Sequence, residues 1–305
     1  MNTSDIITIA RTEVLRDTVT TYSWSDDTLL TYLISAEKEA CRRSYLIFDK
    51  ETPSDSIGKS LCSISVVAGA SSYFISNKIL KICDVILTST KLPLYHTTTT
   101  WLDEFYTDWK IAEGLPAYYF YDNNKLTVVP KPEDSDTLEL EIYRLPLVDV
   151  NLVGHTVIGS SNITFTASTN RISMATGDFK NKGFKMGQKI TISGTTNNNG
   201  TFNMVEVYPT YIVVYESLTT ESNTSAVLFT DSTPEINEEY HLGLIDWVCH
   251  LAYLKHDSQT LDPTKSKDHL QLFELKFGSY VSASIERKRK YYPTNMRLRP
   301  KEMGY

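Results

Sequence analysis

Apolar residues recur at helical spacing at both ends of this chain and alternate with polar ones in the long stretch between. In residues 4–16, Ile6, Ile7, Ile9, Ala10, Val14 and Leu15 keep that spacing, with Thr3 or Ser4 as a cap and Asp5 favouring the positive helix end. Ser25 caps a second helix that carries Asp26 and Asp27 in its first turn and Leu29, Leu30, Leu33, Ile34, Ala36, Ala40 and Cys41 on one stripe. Helix returns near Asn237, with Leu242, Ile245, Val248, Cys249, Ala252 and Tyr253 on its stripe and Trp247 widening it. Asp262-Pro263 starts a fourth helix, in which Leu270, Phe273, Phe277, Tyr280, Val281 and Ile285 recur and Gly278 is a weak interior position. A one-sided apolar stripe must be buried against something, so these four helices are expected to pack together. That brings the two ends of the chain into one body and makes the middle an excursion from it.

The middle reads as strand in two styles. In residues 61–147, SISVVAG, SSYFIS and KICDVILTS are short strands, WLDEFYTDW is a short helix, and AYYFYD, KLTVVPKP and TLELEIYRLP form a β-meander. Leu138, Leu140 and Ile142 alternate with Glu139 and Glu141, which gives that last strand one wet face. Residues 153–231 are rich in Thr, Ser, Asn and Gly, with strands at NITFTAS, RISMA, KITISG, TFNMVEVY and YIVVYESLT. The expected fold is therefore α+β: a bundle of two N-terminal and two C-terminal helices, a β-meander region, and an inserted small β-barrel or sandwich. The body is 1–152 plus 232–290, the insertion 153–231, and 291–305 an extended tail with Pro293 and Pro300.

Chemistry-bearing patterns are sparse. There is no phosphate-binding glycine loop, no H-E-x-x-H and no G-x-S-x-G. His96, His155, His241, His250, His256 and His269 share no helical register suited to a metal and are expected to be solvated or capping. The acidic pairs Asp26-Asp27 and Glu238-Glu239 sit at helix starts, where they complement the dipole, and Asp103-Glu104 is a third pair. Cys41, Cys62, Cys83 and Cys249 form no C-x-x-C and read as buried reduced thiols, with no disulfide frame or zinc site. No stretch is apolar enough for a membrane span, and the N-terminus lacks the pattern of a signal peptide. Neither cofactor nor metal is expected, and the chain is not expected to be an enzyme.

Charge is uneven. The formal net charge is -7, yet residues 285–305 hold seven basic residues against two acidic ones, a balance of +5 that leaves -12 elsewhere. Arg287, Lys288, Arg289 and Lys290 run into Tyr291 and Tyr292, with Arg297, Arg299 and Tyr305 beyond. Basic and aromatic residues together suit nucleic acid or an acidic protein partner, and a charge run can also be a solvated helix end.

Three segments carry a resemblance. TYSWSDDTLLTYLISAEKEACRR, with its loop ending in W-[ST]-D-[DE] before a long helix, resembles the opening of the head-to-tail adaptor (connector) proteins of tailed bacteriophages. LPAYYFYDNNKLTVVPKPEDSDTLELEIYRLP, preceded by Gly114, resembles their middle segment, in which a G-x-P-x-x-Y turn leads to short strands and a proline pair. INEEYHLGLIDWVCHLAYLKHD resembles their third helix. The resemblance implies a structural virion protein at the head-tail junction, made in the bacterial host cytoplasm. It implies a ring, usually twelvefold, beneath the portal protein, extending the channel through which double-stranded DNA passes without sequence-specific binding. Tail or nozzle proteins, and tail fibres, are the implied partners on the other side. By position, the portal-docking arm is Arg287–Tyr305, with Tyr291, Tyr292, Arg297, Arg299 and Tyr305 as contacts beside the run Arg287, Lys288, Arg289 and Lys290. The simplest adaptors lack the insertion at 153–231, and a receptor- or glycan-binding virion protein using that module is the alternative expectation.

Overall fold

The structure is a computed structural model and describes residues 1–280 except 20, 123, 159–161, 224 and 258–259, together with 282 and 285. Among the described residues the chain forms five α-helices and sixteen strands. It divides into two compact units, one holding Met1–Ile47 and Pro146–Tyr280, the other built on Phe48–Leu145.

In the first unit, helix α1 (Thr3–Ile9) is capped by Asn2, not by Thr3 or Ser4. Asn2 accepts from the Asp5 N–H at 2.8 Å, and Asp5 accepts from the Asn2 N–H at 3.3 Å, a reciprocal capping box. Thr3 is otherwise engaged, since its hydroxyl and its N–H both donate to the Ser232 carbonyl at 2.9 and 2.8 Å. Residues Ala10–Leu15 continue the helix in π-helical form and end at Arg16 with a left-handed φ of 52°. Helix α2 (Asp26–Ser44) starts where expected, with Ser25 accepting from the Thr28 N–H at 3.2 Å.

Short-range signals also place α4 (His241–Ala252) and α5 (Pro263–Phe277). Asp262 accepts from the N–H groups of Thr264 and Lys265, with Pro263 in the first turn. Gly278 is the end of α5 rather than a weak interior position: its φ is +86°, and its N–H closes on the Glu274 carbonyl at 2.9 Å. Side chains of α2 take the terminal carbonyls. Ser44 donates to Phe277 O at 2.7 Å and Arg43 to Gly278 O at 3.0 Å. Helix α4 is buried around most of its circumference, through His241, Gly243, Leu244, Ile245, Val248, Cys249 and Ala252. Its Trp247 donates to Ser35 of α2 at 3.2 Å and packs on Phe273 of α5 at 4.9 Å between ring centroids. Gly243 permits that approach, because a Cβ there would lie 2.9 Å from the Phe277 ring.

The segment 153–231 holds eight antiparallel strands: β9 (His155–Ile158), β10 (Ile163–Thr166), β11 (Arg171–Met174), β12 (Lys189–Ser193), β13 (Gly200–Val207), β14 (Tyr211–Val214), β15 (Glu221–Asn223) and β16 (Val227–Thr230). Their order is β15-β10-β11-β14-β13-β12-β16-β9, and among the described residues no ladder joins β15 to β9. One face supplies a single core that includes Val157, Ile163, Phe165, Ile172, Ile190, Ile192, Met204, Ile212, Val214 and Leu228. A flat one-layer sheet would leave that face wet, so the sheet must curl over it. Phe179 and Phe184, edge to face at 5.6 Å, complete the packing. Sequence patterning shows β10 to β14, whereas β9, β15 and β16, of three or four residues each, were not anticipated.

In the second unit, β8 (Asp136–Arg144) is the centre of one sheet, with β4 (Ile79–Leu87) on one side and both β1 (Ile47–Asp49) and β2 (Ser63–Val66) paired to it as well. The other sheet has the order β3 (Ser72–Phe74), β7 (Lys125–Val129), β6 (Tyr118–Asp122), β5 (Tyr95–His96), the last pair parallel. The expected meander is thus interrupted. Strands β6 and β7 form a hairpin, but β8 leaves for the first sheet after Pro130 and Pro132, which lack the N–H needed to continue the ladder. The alternation in β8 holds: Leu138, Leu140 and Ile142 are buried, Glu139 is exposed, and the buried face ends on Arg144. Arg144 donates to Asp49 at 2.6 Å, and both are 3% exposed. Asp49 also accepts from the Thr52 hydroxyl and from two backbone N–H groups, so this buried carboxylate is well supplied with donors.

Candidate functional site

The W-S-D-D loop closes around a buried arginine. Arg11 lies between Ile7 and Leu15 on the buried face of the first helix and is 6% exposed. Its guanidinium donates to the Asp17 carboxylate and the Trp24 carbonyl, both at 2.8 Å, and to Asp26 at 2.5 Å, and lies 4.0 Å from the Tyr22 ring centroid. Asp17 turns its carboxylate back to the N–H groups of Ser23 and Trp24. The Trp24 indole is buried, stands edge to face with Tyr253, and donates to Ala252 O at 3.0 Å, satisfying a carbonyl at the end of α4. Each letter of the motif therefore has a job: Trp24 binds α4, Ser25 caps α2, Asp26 holds Arg11, and Asp27 complements the α2 dipole. The signal for Arg11 was a charge sitting four residues from Ile7 and from Leu15 on an apolar stripe.

A second node marks where the chain leaves α5. The Arg43 side chain is 2% exposed and donates to Glu39 at 2.8 Å and to Gly278 O, near Glu274 at 3.6 Å. Rings of Trp247, Phe273 and Tyr280 surround its guanidinium at 5.1 to 5.9 Å. Beyond this node lies the expected docking arm. Arg287, Lys288, Arg289, Lys290, Tyr291, Tyr292, Arg297, Arg299 and Tyr305 all fall outside the described residues, as does the expected tail 291–305.

The β-module joins the helices through a polar stem. Its first strand and its last, β9 and β16, pair with each other, so the chain enters and leaves at one place. Asn151 donates its N–H to Ser232 at 2.9 Å, the Leu147 N–H reaches Glu235 at 2.8 Å, and Lys38 pairs with Asp149 at 2.7 Å. From α2, Glu37 points into this stem and accepts from the Glu235 N–H, while Lys185 donates to Thr233 O. Burial pushes the Glu37 carboxyl up to about 7, against the opposing pull of Lys185 and the backbone donors. Burial holds His241, bonded to Ile236 O at 3.0 Å, below the usual histidine range.

In the second unit, α3 (Thr99–Phe105), capped by Thr98, lies beside the outer face of β6. Tyr95, Tyr118, Trp101 and Phe105 form a chain of rings at 5.2 to 6.3 Å, and Trp109 meets Phe120 edge to face at 5.7 Å. Phe105 is 63% exposed and Ile111 71%. This face was not foreseen, because β6 and the α3 segment meet only in three dimensions.

The histidines are more structural than expected. His155 and His241 are buried, His250 bonds Ser266 at 2.8 Å, and His269 lies 3.2 Å from Asp246. Gly183, with φ +87°, faces the His155 ring so closely that a Cβ would sit 2.6 Å away. Among the described residues no group of three or more His, Cys, Asp or Glu is placed to hold a metal ion. No described helix is long and apolar enough to cross a membrane. Cys41, Cys62 and Cys249 are buried as expected, but Cys83 is not: it takes the exposed position of β4.

No curated protein matches the chain. The family described as SU10 adaptor protein matches residues 1–163. That range includes the Arg11–Trp24–Asp26 node, the aromatic face and both sheets of the second unit, and stops at the start of β10. Two of the three segments that carry the sequence resemblance lie inside it, and 236–257 lies beyond. With more than half of its length matched, from the capping box through β9, the chain belongs to the SU10 adaptor protein family.

Proposed function

We propose that this protein is a structural head-to-tail adaptor of a bacteriophage virion and not an enzyme. Copies assemble into a twelvefold ring beneath the portal, extend the DNA channel, and present the platform on which tail or nozzle proteins attach. The body is 1–152 with 232–290, arranged as a helical bundle with its β-region; 153–231 is an inserted domain; and Arg287–Tyr305 is the arm that docks on the portal. The observation that carries this reading is the family match over the segment that contains the W-S-D-D node.

The construction of that node supports it. A ring needs rigid, repeating, heterologous contacts. Ion pairs at both ends of α2, each made by a buried arginine, fix its neighbours. An acidic body suits a channel that passes DNA without gripping its phosphates. The test is co-sedimentation with the portal of the same virus, using the full chain and a variant lacking 287–305. The full chain is expected to sediment with the portal and the shortened one to stay in the supernatant with unchanged circular dichroism. Equal sedimentation of the two would remove the arm from the docking role.

A further inference from the structure

The aromatic face around α3 is unusual for an exposed surface. Phe105, Ile111 and Leu115 are each more than half exposed, in the same stretch of chain as the half-buried rings of Trp101, Trp109, Tyr118 and Phe120, and Phe105 packs on Trp101 at 5.3 Å. Single exposed apolar residues are ordinary, but a contiguous aromatic patch marks a contact site. The same stretch of chain carries Asp103, Glu104, Asp108 and Glu113, all exposed, against Lys110. Lys110 lies 3.7 Å from Asp103 and 5.2 Å from the Trp109 ring centroid, so a cation already occupies one position of the kind this face offers. The indole N–H of Trp109 donates to Asp103 at 2.9 Å, which fixes ring and carboxylate together. The occupant that fits such a surface is a peptide carrying both cations and aromatic rings. Its cations would meet carboxylates and ring faces, and its rings would stack on Trp101 and Phe105.

The sequence contains one segment of that composition. Residues 287–305 carry Arg287, Lys288, Arg289, Lys290, Arg297, Arg299 and Lys301 against Glu302, with Tyr291, Tyr292 and Tyr305. We infer that the acidic aromatic face around α3 is a docking site for the chain's own C-terminal segment, 287–305, in the protein that has not yet met its partner. Twenty residues follow Ile285, a reach of roughly 65 Å when extended. Covalent tethering raises the local concentration of the segment to about the millimolar range, well above that of another molecule in dilute solution. The face thus holds the arm in the free protein, and a portal that binds the arm competes with it. The inference concerns the free protein and stands or falls without any portal.

The experiment is zero-length carbodiimide cross-linking of the full-length protein, alone, as an equal mixture of unlabelled and ¹⁵N-labelled chains, read by mass spectrometry. Cross-links are expected from Lys288, Lys290 or Lys301 to Asp103, Glu104, Asp108 or Glu113, within chains of one label. Phe105→Arg is expected to lower them at least fivefold. Should Phe105→Arg reduce the melting temperature, Ile111→Arg, at a 71% exposed position, serves in its place with the same expected loss and leaves all four carboxylates available to react. Tail cross-links spread evenly over the other carboxylates, or unchanged in these variants, would overturn the inference. Cross-links between chains of different label would overturn the same-chain assignment.

Discussion

Glu37 offers a measurable consequence of the way the β-module is attached. It is a carboxyl on α2, 2% exposed, that accepts from the backbone of residues 235 and 236 just after the module. Folding raises its pKa from 4.5 to about 7, with burial as the main cause. That difference corresponds to about 3 kcal/mol of preference for the neutral form in the folded state. The folded protein therefore holds this proton more tightly than the unfolded chain does. The stabilisation is complete below about pH 4.5 and is lost as pH rises through about 7. Glu37→Gln keeps the shape and removes the titration. Urea unfolding of both proteins at pH 5 and at pH 8 gives two stability differences, and the variant must gain about 2.5 kcal/mol on the wild type between them, the remainder being lost below pH 5. Half-buried His96 and buried His155 and His241, whose pKa values are lowered by burial, act in the opposite sense but are common to both proteins and cancel. Any fixed cost of fitting the amide nitrogen also cancels. A difference between the two proteins that stays constant from pH 5 to pH 8 would refute the assignment of a buried, titrating Glu37.

Two further substitutions test the packing. Arg11→Ala leaves Asp17 buried without its cation and is expected to cost about 3–5 kcal/mol, read by chemical unfolding at pH 7. Gly243→Ala brings a methyl group to 2.9 Å from the Phe277 ring and is expected to cost about 1–3 kcal/mol, seen as a lower midpoint of thermal unfolding.

What the sequence reveals and hides follows from distance along the chain. Ser25, Asp262 and Pro263 act on residues two or three positions away, and their caps fall where local chemistry puts them. The stripes of α2 and α4 and the alternation of β8 are likewise local periodicities. Gly278 was ambiguous, because a glycine inside a helix and one that ends it look alike until Arg43 and Ser44 arrive from α2 to take the last carbonyls. The departure of β8 from the expected meander depends on β2 and β4, which lie far away in sequence. The same holds for the site. The W-S-D-D motif was visible, but its meaning required Arg11 and Ala252, one before the loop and one near the other end of the chain. Glu37 and Arg43 looked like the polar face of α2 until the module stem and α5 covered them.

The central claim is that this chain forms a ring on the portal. Electron microscopy of the protein mixed with the portal from the same virus, with each alone as a control, tests it most directly. The account predicts portal particles lengthened by a twelvefold ring that is absent from both controls. Portals that stay bare beside folded, unassembled protein would contradict it.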